Sequence, residues 1–139
     1  MTGQSIKQIE RAVGAYVGAH YRSAVEVGIG RNTTAAETAR ATGCRVRAVD
    51  VRPCNTGSVP FARDDVFAPD FALYRGAEVI YAVRPGVEMV PALVALARAC
   101  ACDLLVYHLG NEIYLDGGER IAAGGVVLHR YYRAPSEEG

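Results

Sequence analysis

The sequence predicts an α/β fold: a doubly wound, mostly parallel sheet between two helical layers (three-layer α/β/α), with an antiparallel C-terminal edge. Three observations predict it. Short β-branched runs alternate with capped amphipathic helices, which right-handed crossovers assemble into a parallel sheet. Asp103-Leu104-Leu105-Val106-Tyr107 is apolar through its middle, as expected of a strand covered on both faces. Beyond it, β-prone runs separated by glycines suit an antiparallel edge. The 139 residues are enough for one domain with its own core, and we read residues 1–139 as that domain.

The elements follow in order. Ser5-Ile6-Lys7-Gln8 is a capping box, and Ile6, Ile9, Val13, Tyr16, Val17 and His20 recur at helical spacing behind it. His20 is therefore expected on the core or boundary face of that helix. Ser23–Val27 reads as a strand that breaks at Gly28-Ile29-Gly30. Thr34-Ala35-Ala36-Glu37 is a second capping box, and Gly43 stops its helix, whose alanines Ala35, Ala36 and Ala39 allow close packing on a sheet. Residues 45–51 form the next strand. The first strand should lie near the centre of the sheet.

Residues 52–67 contain Pro53, Asn55, Gly57 and Pro60 without periodicity and read as a loop, with at most a short element near Phe61. Residues 69–75 suit a short helix, 78–83 a strand, and 87–101 a helix with Pro91 in its first turn and Val90, Leu93, Val94 and Ala97 inward. Residues 112–115 and 126–132 are the expected antiparallel edge. Residues 134–139 read as a frayed tail.

Composition restricts function more than it defines it. Apolar residues make up 50% and charged residues 22%, ordinary for a folded chain. Net charge is zero, so no global field draws nucleic acid or an anionic membrane. No apolar run reaches the roughly 18–20 residues of a membrane span. The N-terminus lacks the parts of a signal peptide, so a cytoplasmic location is expected. Cys44, Cys54, Cys100 and Cys102 form no Cys-x-x-Cys knuckle; they read as small thiols in a reducing compartment, and no metal site is expected.

The chemistry concentrates in residues 25–50. Ligands of such sheets bind beyond the carboxyl ends of the strands where strand order reverses. Gly28 and Gly30 fall there, just before a helix. Asp50 ends the next strand twenty residues after Gly30, the spacing at which a carboxylate takes both ribose hydroxyls. A tight turn with a solvated Asp would leave the same signature. Two features disfavour a dinucleotide: the third glycine of its motif would fall at Thr33, and Glu26 would lie close to a pyrophosphate.

Glu26-Val27-Gly28-Ile29-Gly30 instead resembles the first motif of S-adenosylmethionine-dependent methyltransferases. That resemblance places Glu26, Gly28 and Gly30 around the methionine end and Asp50 on the ribose. Asn32 stands where the third glycine commonly falls. Asp64-Asp65-Val66-Phe67 resembles the acidic segment that contacts adenine. With Ile80-Tyr81-Ala82-Val83-Arg84-Pro85, the helix from Glu88 through Pro91 and Asp103-Leu104-Leu105, these residues make the chain similar to a small uncharacterised protein family. It is found mainly in archaea and regarded as truncated, Rossmann-type methyltransferase-like domains. The resemblance covers nearly the whole chain and implies the fold without an activity.

Amino-methylating relatives carry Asp/Asn-Pro-Pro-aromatic after the fourth strand, where this chain has Val83-Arg84-Pro85-Gly86. Arg84 could bind a carboxylate or phosphate but is a poor base; methyl transfer depends largely on alignment and needs none. His108, after the 103–107 strand, could reach the same cleft as a general base. Arg84 and His108 are thus the catalytic candidates. The chain is also short for a complete methyltransferase with a substrate cap. The sequence therefore favours a domain that binds S-adenosylmethionine or a related nucleoside. Its alternatives are a non-enzymatic domain acting through a protein or RNA partner and an NAD-binding oxidoreductase-like domain. The substrate is open, and so is a homo-oligomer.

Overall fold

Helix, turn and strand alternate along the chain as its apolar periodicity dictates, and they assemble around one seven-stranded sheet. The computed structural model describes residues 6–110 and 112–135. Ser5 of the first capping box, the Ile6 side chain and residues 136–139 of the expected tail lie outside the described residues. Strands β1 (Ser23–Val27), β2 (Arg45–Asp50), β3 (Phe61–Arg63), β4 (Val79–Val83), β5 (Asp103–Tyr107), β6 (Glu119–Ala123) and β7 (Val126–Tyr132) stand in the order β3-β2-β1-β4-β5-β7-β6. The first five are parallel, while β7 runs antiparallel to both β5 and β6. Strand order reverses between β1 and β4. Ala134, at the start of the expected tail, donates its N–H to Asp103 Oδ1 at 2.7 Å.

Alternation along the strands sends residues to two cores. Ala24, Tyr81, Leu105 and Leu128 pack with Val13 and Val17 of α1 (Ile6–His20) and with Ala35, Ala36 and Ala39 of α2 (Thr34–Ala41). Val25, Ile80, Leu104 and Val106 pack with Leu93, Leu96 and Ala97 of α3 (Val90–Cys100) on the other face. Close approach of α1 to α2 depends on glycine as well as alanine. A Cβ on Gly14 would overlap the Ala35 carbonyl oxygen, and one on Gly18 the Thr42 hydroxyl.

Several local expectations change. His20 is exposed, stacked on Tyr16 with Nδ1 2.9 Å from the Tyr16 carbonyl; in the last helical turn its ring meets a backbone acceptor instead of the core. The second capping box starts one residue too late. Thr33 occupies the cap, Asn32 Oδ1 accepts the Thr34 N–H at 3.0 Å, and the Thr33 hydroxyl donates to Glu37 at 2.7 Å. The short helix at 69–75 is a 3-10 turn, Phe71–Tyr74, capped by Asp70. The helix at 87–101 opens with another such turn, Val87–Met89; Leu96 is buried with Val90, Leu93 and Ala97, and Val94 packs partly buried against the same core. Residues 112–115 are not a strand: Leu115 has φ 52° and is 78% exposed. Their place at the edge is taken by β6, a mostly solvent-facing strand of Glu119, Arg120, Ile121, Ala122 and Ala123 with no clear alternation in the sequence. No helix among the described residues is long and apolar enough to cross a membrane.

Candidate functional site

The break after β1 is a turn only glycine adopts easily. Gly28 and Gly30 have φ of 77° and 58°, and a side chain on either would meet open space. The requirement is thus the backbone angle, and the room above it is left for something else. Gly28 and Ile29 donate their N–H groups to the Val49 carbonyl at 2.8 and 3.3 Å. The Gly30 N–H donates to Asp50 Oδ2 at 2.9 Å, and Asp50 Oδ1 accepts the Arg52 N–H at 3.1 Å. The carboxylate at the end of β2 therefore fixes the glycine turn at the end of β1.

Two clefts flank this turn. One, of about 590 Å³, is lined by Gly30, Arg31, Asp50, Arg52, Pro53, Cys54 and Asn55. The other, of about 710 Å³, lies between β1, β4 and the starts of α1 and α2, and includes Glu10, Glu26, Gly28, Asn32 and Arg84 in its wall. A smaller hollow, of about 400 Å³, at the opposite end of the strands near Arg45 and Arg75 has no part of the glycine turn.

Glu26 and Tyr81 both point to the α1/α2 face, and the Tyr81 hydroxyl donates to Glu26 Oε1 at 2.9 Å. Glu26 is 2% exposed. Burial first, and then the nearby Glu10 carboxylate, push its pKa up to about 8 although the Tyr81 hydrogen bond opposes the rise. Glu10 is as deeply buried and pairs with Arg84 Nη1 through Oε2 at 2.6 Å. Arg84 reaches it from a left-handed backbone, φ 56°, with its guanidinium 5.5 Å from the centre of the Tyr107 ring. Among the described residues, Glu10 Oε1 and Arg84 Nη2 are buried without a hydrogen-bond partner.

The expected residues divide accordingly. Glu26, Gly28, Gly30, Asn32, Asp50 and Arg84 line the two clefts, with Asn32 also holding the α2 N-terminus. Asp64 and Asp65 do not line them. Asp64 accepts from the Tyr74 hydroxyl at 2.5 Å and the Asp70 N–H at 3.0 Å, and Asp65 accepts the Phe67 N–H at 2.9 Å. His108 lies apart from the cleft of Arg84, in a separate hollow with His129; its Nε2 is 2.6 Å from the Tyr131 hydroxyl. The four cysteines are free, and the described residues hold no group of three or more His, Cys, Asp or Glu arranged for a metal.

Glu10 is the site residue that sequence reasoning passes over. Its signal is present: an acid at an inward position of the apolar stripe, four residues after Ile6 and three before Val13. Cys54 is the second. It lies in a loop without periodicity, and only the fold brings it beside Asp50 and Gly30.

An uncharacterised protein family, UPF0146, matches residues 7–130. A UPF0146 protein of Halobacterium salinarum is 36% identical over 122 residues, covering 85% of this chain and 94% of that protein. One from Archaeoglobus fulgidus is 39% identical over 100 residues, covering 70% and 76%. Among solved structures, an amino pentose methyltransferase from Micromonospora echinaspora with S-adenosylmethionine bound superposes with a TM-score of 0.56 at 18% identity. The match covers 86% of this chain but only 59% of that enzyme, so this chain spans about three fifths of its length. A didemethyltoxoflavin N1-methyltransferase from Burkholderia thailandensis, solved with S-adenosylhomocysteine, gives 0.51 at 17% identity over 92% of this chain and 63% of that one. At such identities the likeness is one of fold: the chain has a methyltransferase-like Rossmann fold in shortened form.

Proposed function

The chain belongs to the uncharacterised family UPF0146, and on that premise we propose that it binds S-adenosylmethionine or a related nucleoside across its glycine turn. One observation carries the reading: Asp50 clamps the Gly30 N–H while the space above Gly28 and Gly30 opens into a cleft on either side. In this reading the ribose hydroxyls meet Asp50, whose oxygens each keep a lone pair beyond the turn contacts. The amino-acid end lies over Gly28 toward Glu26. Asn32 shapes the turn. Asp64 and Asp65 stand outside both clefts and are engaged within their own loop, so the reading gives them no contact with the ligand.

The residues fit an adenosyl ligand better than a dinucleotide. Thr33 stands where the dinucleotide motif has its third glycine. Methyl transfer is a further step. The position after β4 is held by Arg84, whose guanidinium is tied to Glu10, which favours binding without a base at that place. The protein could then serve through a partner while retaining the pocket.

Thermal unfolding with separate additions of S-adenosylmethionine, S-adenosylhomocysteine and NAD tests the reading. An adenosyl ligand at a hundredfold its Kd adds about 2.7 kcal/mol, roughly 10 °C for a domain of this size. Asp50→Ala should abolish most of that shift. No shift with millimolar adenosyl ligand would refute binding, and a shift untouched by Asp50→Ala would refute the placement.

A further inference from the structure

The hollow at the opposite end of the strands carries charge that its place in the fold does not call for. Arg45 and Arg47 stand two residues apart on β2, so both point to the face on which Val49 packs with the α3 core. A parallel strand covered on both faces carries apolar residues there. The chain from β3 to β4 is the cover available, and it is reduced to the short turn Phe71–Tyr74. An open bay of about 400 Å³ remains over the start of β1 and β2, lined by apolar Leu73 and Pro60 and by Arg45, Arg47 and Arg75.

The arginines of this bay have few partners. All three are exposed, and among the described residues none pairs with a carboxylate. Arg47 Nη1 donates to the Leu73 carbonyl at 3.0 Å, which holds its head against the wall. Arg45 and Arg75 have no side-chain hydrogen bond among the described residues. The acids at this end of the sheet are engaged elsewhere. Glu78 Oε1 accepts the Arg22 N–H at 2.7 Å, and Asp103 accepts from Tyr21, Arg130 and Ala134. In a chain of zero net charge, such a concentration of guanidinium groups is local.

We propose that this bay is a phosphate site: a dianionic phosphoryl group, as in a phosphomonoester or pyrophosphate, sits between Arg45, Arg47 and Arg75. The rest of the ligand lies along Leu73 and Pro60. Each guanidinium presents a planar fork of N–H donors that matches two phosphate oxygens. Three positive charges with no acid among them call for more than one negative charge. A terminal phosphate, at about −1.5 to −2 near neutrality, supplies it, and a carboxylate does not. The bay shares no lining residue with either cleft of the glycine turn, so the proposal does not rest on the adenosyl reading. The same phosphate chemistry is offered by a small free molecule and by the 5′ end of an RNA.

Backbone amide NMR of the intact chain tests the site with pyrophosphate, ribose 5-phosphate and ribose. These probes carry no adenosine for the glycine turn to take. Pyrophosphate and ribose 5-phosphate should move the amides of residues 23–25, 45–47 and 73–77 with a Kd of about 1 mM or below, and ribose should not. Acetate should bind at least about tenfold more weakly than pyrophosphate. Raising salt from about 50 to about 500 mM should weaken both phosphates. Arg45→Gln with Arg75→Gln should weaken pyrophosphate at least about tenfold and leave the S-adenosylmethionine shift in Tm unchanged. Arg47 is spared because it also holds the Leu73 carbonyl. Should the double variant not fold, Arg75→Gln alone removes a side chain with no partner to lose, and it should also weaken binding. No response to either phosphate at about 10 mM overturns the proposal. So do amide changes confined to the glycine turn, acetate binding as tightly as pyrophosphate, or affinity untouched by the variants. A 5′-phosphorylated RNA oligonucleotide that binds more tightly than both its 5′-hydroxyl form and ribose 5-phosphate identifies the source as an RNA end. One no tighter than ribose 5-phosphate identifies a small molecule. Equal binding of the two RNA forms, tighter than pyrophosphate, overturns the choice of a terminal phosphate.

Discussion

Two buried polar clusters stand at the carboxyl end of this sheet, and they differ in what they leave unsatisfied. Beside β5 and β7, His108 Nε2 meets the Tyr131 hydroxyl, His129 Nδ1 meets the Gly117 carbonyl at 2.8 Å, and the same hydroxyl accepts the Tyr114 N–H at 3.0 Å. The rings pack edge-on, with His108 and His129 centred 5.0 Å apart. No buried side-chain atom of that cluster lacks a partner among the described residues. The Glu10, Glu26 and Arg84 wall has two such atoms, and a carboxyl kept protonated near neutrality. Polar burial alone therefore does not mark a site. Capacity left over after the protein's own contacts does, because it has a cost that a ligand can remove.

The largest expected effect separates the clusters by pH. An unfolded Glu26 has the ordinary carboxyl pKa of 4.5, and folding raises it to about 8. Between these values the unfolded chain has lost the proton that the native state still holds. Stability is then lost as pH rises, by about 1.4 kcal/mol per pH unit at most. His108 pulls the other way. Burial, and then its neighbour His129, lower its pKa from 6.5, so stability is lost as pH falls through that value. In urea denaturation from pH 5 to 9 the Glu26 loss should run up to about pH 8 and be offset below pH 6.5 by His108. Glu26→Gln should remove the fall between pH 6.5 and 8. If that fall is unchanged, Glu26 is not protonated in the fold.

Breaking the ion pair comes next. Glu10→Ala leaves the partly buried Arg84 without its counterion and should cost about 3 kcal/mol. Replacing both members by apolar residues, Glu10→Leu with Arg84→Met, should recover most of that stability while ending any ligand-induced shift. Recovery of stability with binding intact would make the pair structural, and the contrast between the clusters would lose its meaning.

How far the sequence foretells each region follows from the range of the interactions involved. The glycine turn and Asp50 are legible because strand, turn and capped helix are local, and a twenty-residue spacing survives any packing detail. The central place of β1 and the parallel sheet with its antiparallel edge are legible through the alternation of strands and helices and the handedness of crossovers. Glu10 is not, since its importance comes from Arg84, 74 residues away. His108 was expected beside Arg84 because neighbouring parallel strands end at one edge. The antiparallel β7 inserts His129 and Tyr131 there and claims the ring first. The strand at 112–115 fails for the complementary reason: among the described residues no strand pairs with it, while β6 is held by pairing with β7.

The smallest effect tests the quiet half of the comparison. Tyr131→Phe removes one oxygen that serves both His108 Nε2 and the Tyr114 N–H, and it leaves the edge-on ring contact with His108 in place. Tyr131 is only half-buried, so water can answer part of the loss, and about 1 kcal/mol is expected. That is a fall in Tm of roughly 4 °C. The His108 hollow shares no lining residue with either cleft of the glycine turn, so the shift given by S-adenosylmethionine should be the same in the variant. The opposite pattern, an unchanged Tm with the ligand shift lost, would move function to the histidines. A fully satisfied network would then be the working one, and unsatisfied capacity would be the wrong guide to this molecule.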